Sequence, residues 1–116
     1  MTKIKTRTRS LPHPALLVAI ADAQAAADAA ARIASEAAEW AMQANAGYDD
    51  AAEAMRSAQR ARQTAEQAER CALAHEAWSY ARLAWASVQS ASEASARLNA
   101  TIAEALTVLG TGSLDN

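Results

Sequence analysis

From Leu16 to Ala44 the apolar positions recur in steps of four and three without a fault: Leu16, Ile20, Ala23, Ala27, Ala30, Ala34, Ala37, Ala41 and Ala44. A seven-residue repeat keeps one stripe of a helix turned toward a neighbouring helix, so this segment reads as a coiled-coil-like seam. The stripe is built almost wholly of alanine, and the rest of the chain agrees. Alanine fills 35 of the 116 positions, against three Gly, two Pro and no Phe. The other abundant residues, Glu, Arg, Gln and Ser, are good or tolerable helix formers and poor strand formers, which excludes an all-β fold. The fold class expected is all-α, and the length suits one domain.

The first helix is expected over residues 14–46, with Pro14 at a first helical position where its missing N–H has no partner to lose. Gly47 can end it in the left-handed conformation, giving a turn over 47–49. Asp50 and Glu53 have capping-box spacing, and Asp49 adds negative charge where the next helix begins. The seam then resumes at Ala51, Ala54, Ala58, Ala61, Ala65, Ala68 and Ala72. Folded back antiparallel, position 44 would face 51, 41 would face 54, and 23 would face 72. Methyl groups would meet methyl groups throughout, allowing the two backbones to approach to about 8 Å, the short end of ordinary helix packing.

After Ala72 the repeat slips. It restarts at Ala77 and runs through Ala81, Ala84, Val88, Ala91, Ser95, Leu98, Ile102, Ala105 and Leu109, with Gly110 as a stop. Two architectures fit this slip near residues 73–77. One helix can run continuously over 50–109 with a change of register, or the chain can break near residue 75 and fold back as a three-helix bundle. No Gly, Pro, Asn or Asp occurs from Ala51 through Leu98, which favours the continuous helix. The domain plan is thus a basic arm over 1–13, one helical domain over 14–109 and a flexible tail over 110–116.

Alanine seams bury little. At about 0.8 kcal/mol per methyl, the nineteen alanines of these stripes contribute on the order of 15 kcal/mol, so a lone hairpin would be marginal. The larger apolar side chains lie toward the C-terminus, and Trp78, Arg82, Trp85, Val88, Leu98, Ile102 and Leu109 are the expected partner or oligomer interface. Trp78, Arg82 and Trp85 follow one another at i, i+4 and i+7, an aromatic and cationic strip of the residue types that most often carry binding energy. Self-association into a dimer or four-helix assembly is the expectation.

Charge is unevenly spread. Lys3, Lys5, Arg7 and Arg9 give the first thirteen residues four positive charges and no acid, whereas residues 14–55 hold seven acids and one Arg. The arm could lie along a polyanion such as a nucleic-acid backbone, releasing counterions as it does so. Arg56, Arg60 and Arg62 form a second basic cluster, but Glu53, Glu66 and Glu69 stand at helical spacing to pair with them. Cys71 and His75 are four apart, on one face of a continuous helix; a metal site would need further ligands, and none is expected. A single Cys excludes an intrachain disulfide and fits a reducing, cytoplasmic setting. The run from Ala15 to Ala21 is too short to span a bilayer, although a basic segment before an apolar one also has the order of a secretion signal. No phosphate-binding glycine loop, nucleophile elbow or paired-carboxylate motif is present, so neither an enzyme nor a cofactor is expected. The strong preference for Arg over Lys, nine against two, points to a GC-rich, bacterial genome. The functional expectation is a non-enzymatic helical scaffold that self-associates and binds a protein partner. The alternatives are a nucleic-acid accessory protein using oligomerised basic arms, and an exported helical hairpin.

Overall fold

The computed structural model describes residues 13–115, with side chains as far as Val108. The basic arm, with Lys3, Lys5, Arg7 and Arg9, and the side chain of Leu109 therefore lie outside the described residues. The chain is all-α, with helices α1 (Pro14–Ala44), α2 (Tyr48–Glu69) and α3 (Ala74–Asp115). They are 31, 22 and 42 residues long.

Two clusters of buried residues fix the directions of the helices. At one end Leu16, Ala19 and Ala23 of α1 meet Ala65 and Ala68 of α2 and Ala77 and Ala81 of α3. At the other, Ala34, Ala37 and Ala41 meet Ala51 and Ala54, together with Ala94 and Leu98. Hence α2 runs antiparallel to both other helices, and α1 and α3 run parallel to each other. The continuous second helix is corrected by this arrangement: the chain breaks after Glu69 and α3 returns along the pair.

The break needs no glycine or proline. Arg70 keeps an ordinary right-handed backbone (φ −87°, ψ −5°), and its N–H reaches Gln67 O at 3.1 Å while that of Cys71 reaches Ala68 O at 3.1 Å. Such tightened last-turn bonds satisfy carbonyls that a helix end would otherwise leave open. The Cys71 thiol adds a bond to Gln67 O at 3.3 Å. Every backbone angle in this bend is open to any residue, because among the described residues only Asn45 and Gly47 have positive φ. The gain is burial: a third helix covers the seam that the first two leave half open.

That third helix also widens the buried stripe of α1. Ala19 and Ala26 are fully buried alongside Ala23 and Ala30, while the seam positions Ile20 and Ala27 are half-buried. In α2 the buried position is Ser57 rather than Ala58, and Ala72, placed in the seam by its spacing, is exposed in the bend. The Ser57 hydroxyl accepts from Arg60 at 2.9 Å, so its burial leaves no polar atom unpaired.

Local chemistry at the first turn also departs from the spacing argument. His13 caps α1, its Nδ1 accepting from the Ala15 N–H at 3.1 Å, with Pro14 following as expected. The helix ends two residues early, at Ala44, and the left-handed residue that closes it is Asn45 (φ 53°, ψ 43°). Gly47 is left-handed too (φ 75°), but as the residue before α2. A Cβ on Gly47 would fall inside the Leu98 side chain, so glycine is required there for space as well as for backbone angle. Asp50 and Glu53 form no capping box. They bind Arg97 of α3 instead, at 3.4 and 2.7 Å. At its far end α3 does not stop at Gly110: helix continues to Asp115, where a flexible tail was expected.

Candidate functional site

Parallel α1 and α3 leave an edge where side chains of the two helices face each other at a constant offset. Trp85 donates its indole N–H to Asp22 Oδ2 at 3.0 Å, joining residues 63 apart in sequence. Trp78, one heptad earlier on α3, follows Ala77, which packs with Leu16, Ala19 and Ala23. Trp78 and Trp85 are each more than a third exposed, and Arg82 between them is exposed. The aromatic strip is therefore a surface feature, anchored to α1 through Asp22. Sequence reasoning had no signal for that anchor.

The expected interface residues divide along α3. Leu98 is fully buried within its own chain, against Gly47 and the alanines of the turn end. Its surface is thus unavailable to a partner, which removes it from the interface set. Val88 is half-buried. Ile102 is half-buried beside the turn-end cluster, and beyond it α3 outruns both other helices. There Leu106 is 63% and Val108 69% exposed. Leu98, Ile102, Ala105 and Leu106 recur at helical spacing, so one apolar stripe leaves the core and continues onto the overhang.

The opposite end carries a second apolar group that the spacing argument passed over. Leu17 and Val18, on the outer face of α1, are 50% and 57% exposed. Leu73 lies in the bend and is half exposed, because α2 ends four residues before it. Most of the mixed-charge pairing expected on α2 takes another form: Arg60 binds Ser57, and Glu69 accepts from Gln24 of α1 at 2.7 Å. The Arg97 link to α2 raises the guanidinium above its ordinary range, through the hydrogen bond to Asp50 first and attraction to Glu53 after it.

Cys71 and His75 do not share a helical face, since Cys71 sits in the bend and His75 in the first turn of α3. Both line a shallow depression of about 550 Å³ with Gln67, Arg70, Glu76 and Tyr80. Desolvation first, then the nearby Glu76 carboxylate, raises the Cys71 thiol above its usual range. The thiolate, the reactive form, is scarce at neutral pH under those conditions. Alkylation of Cys71 by iodoacetamide is accordingly expected to run slower than that of a free thiol at neutral pH, and to rise with pH later than the free thiol does. Fast labelling at pH 7 would show a thiol activated by its neighbours. Among the described residues no three His, Cys, Asp or Glu side chains gather as metal ligands.

Helix α1 is long and apolar enough to cross a membrane by length and composition, with a mean hydropathy of 1.2 over its most apolar 18 residues. Core helices of alanine-rich bundles satisfy the same measure, and α1 buries one face against α2 and α3. No protein-family model, curated protein or solved structure matches this chain.

Proposed function

We propose that this chain is a non-enzymatic helical interaction protein that self-associates, and binds a protein partner, through the part of α3 beyond the bundle. The single observation that carries this reading is the overhang. Packing within the chain ends about where Ile102 meets the turn-end cluster, yet α3 continues to Asp115, a further ~20 Å at 1.5 Å per residue. A helix that leaves its own bundle with an apolar stripe still facing outward gains stability by covering that stripe. The contrast with the bundle is chemical. Inside, alanine seals against alanine. Outside, Leu106 and Val108 are each larger than an alanine of the seam and are 63% and 69% exposed.

Burying a leucine-sized side chain is worth about 1.5–3 kcal/mol, and association itself costs at least about 4 kcal/mol. A few such side chains per copy make a weak, concentration-dependent interface. In sedimentation equilibrium the full-length chain is expected to change mass over the micromolar range, and Leu106→Glu to weaken the association tenfold or more. A full-length chain that stays monomeric at 100 μM, about the upper end of such a weak interface, would refute the reading.

A further inference from the structure

We propose that the outer face of the first half of α1, with the Trp78, Arg82 and Trp85 strip beside it, rests on a lipid bilayer; the occupant of this face is the zwitterionic membrane interface. The surface lies at the opposite end of the bundle from the α3 overhang, so the inference stands apart from the self-association reading.

From Pro14 to Ala27, about 20 Å of helix, the one charged residue is Asp22. Leu16, Ala19, Ala23 and Ala26 turn inward, which leaves Leu17, Val18, Ala21 and Ala25 exposed. Gln24, the other polar side chain of this stretch, is turned toward α2 and donates to Glu69 at 2.7 Å. Of the most apolar 18 residues of α1, only 28% are buried. A stretch that is apolar on its inner and outer faces alike belongs in apolar surroundings on both sides. The bundle supplies them on one.

The flanking residues have the chemistry of a bilayer interface. Trp85 is fixed against α1 by its bond to Asp22, which holds that carboxylate at the edge of the face. Trp78 and Trp85 remain 37% and 40% exposed, and indoles concentrate at headgroup depth, where one end is apolar and the other wet. Arg82 can lay its stem along apolar surface and lift its guanidinium to the lipid phosphates. The acids at this end of the bundle face elsewhere: Glu69 stands at the α1–α2 edge with Gln24, and Glu66 and Glu76 line depressions between α2 and α3. Shape favours lipid over a folded protein. Protein interfaces concentrate their binding energy in anchors that fill pockets, and the depressions of about 550, 450 and 420 Å³ between α2 and α3 include no residue of α1. A helix lying in the plane of a fluid bilayer needs no pocket.

Phosphatidylcholine vesicles in about 0.5 M salt, which screens charge attraction, are the probe. The full-length chain is expected to sediment with them, and Val18→Glu to lower the bound fraction several-fold, since a carboxylate at lipid depth must be desolvated. Val18 is 57% exposed, so circular dichroism should give the wild-type fold; Ala21→Glu, one turn on, serves if it does not. Vesicles brominated in the acyl chains locate the contact. They should quench the Trp40→Phe chain, which keeps Trp78 and Trp85, and leave unquenched a Trp78→Phe, Trp85→Phe chain, which keeps Trp40 near the α1–α2 turn. A wild type that stays in solution, or folded Val18→Glu and Ala21→Glu chains that bind as it does, would overturn the inference. So would equal quenching of Trp40, which would put another face on the membrane. A Val18→Glu chain that instead loses self-association without lipid would mean that a second copy covers this face. Vesicle binding can fail in all these ways with the overhang reading intact, since Leu106→Glu is expected to bind vesicles as the wild type does.

Discussion

Replacing Leu98 with alanine is expected to cost about 3–5 kcal/mol, the upper part of the range for large-to-small changes in a core. Leu98 is the largest fully buried hydrophobic side chain in the bundle. It lies where α3 passes the α1–α2 turn, surrounded by Ala34, Ala37, Ala41, Ala51, Ala54 and Ala94, with Gly47 open toward it. A cavity left by a lost leucine normally shrinks as neighbours change rotamer. Methyl groups have no rotamer to change, and a glycine has no side chain at all. The cavity should therefore stay nearly full size, and for a domain of this length the loss corresponds to a fall in Tm of roughly 10–20 °C. Thermal unfolding followed by circular dichroism measures it. A fall of only a few degrees would mean that the turn end collapses onto the vacancy and that Leu98 is no keystone.

The opposite change at the middle of the seam should do comparable damage. Ala61 is fully buried in α2, and the helices around it are spaced by methyl groups. Leucine there adds three heavy atoms where no side chain opposite can retract, so whole helices must separate. Overpacking of this kind costs about 1–3 kcal/mol in ordinary cores, and a rigid alanine seam should place it at or above the upper figure. Ala58→Leu is the informative control. Ala58 is only half-buried, because α2 turns Ser57 inward in its place, so leucine at 58 is expected to change stability by less than about 1 kcal/mol. Urea unfolding of the two variants side by side checks the register. Equal losses at 58 and 61 would indicate that the seam follows the unbroken spacing and not the observed packing.

That one-residue difference shows how far the spacing of alanines could be read. The four-and-three recurrence identifies both helices of the first pair and most of their buried positions, including Ala23, Ala30, Ala51, Ala54, Ala61 and Ala68. It misplaces Ile20, Ala27 and Ala58, because a single-partner seam is a narrow stripe, and a helix with two partners buries a broader one. Alanine blurs the choice further: with the same residue on both flanks of the stripe, a rotation of the helix by one position costs little in side-chain chemistry and is settled by the third helix.

The bend at residues 70–73 was marked only by the slip of the repeat, which fitted a break into a three-helix bundle and a continuous helix alike. Its backbone angles are ordinary and its hydrogen bonds are tightened helical ones, so no special residue marks it. What drives the break is long-range burial, which is invisible in a local window. Gly110 misleads in the other direction, since it permits a helix end without enforcing one. Of the candidate surfaces, Trp78, Arg82 and Trp85 were legible from their spacing. The bond from Trp85 to Asp22, the loss of Leu98 to the core and the exposed pair Leu17 and Val18 all depend on how α3 lies on α1.

The most direct test of the central claim is amide hydrogen exchange of the α3 overhang as a function of protein concentration. Residues 99–108 include Thr101, Ile102, Thr107 and Val108, β-branched residues that favour helix only weakly. Without a partner this stretch should open readily, while residues 77–98 stay protected within the bundle. Raising the concentration from about 1 μM to about 200 μM, a span that brackets a weak interface, is predicted to slow exchange across 99–108 and to leave 77–98 unchanged. Exchange over 99–108 that is the same at both concentrations would contradict the account, since the overhang would then be making no contact between copies.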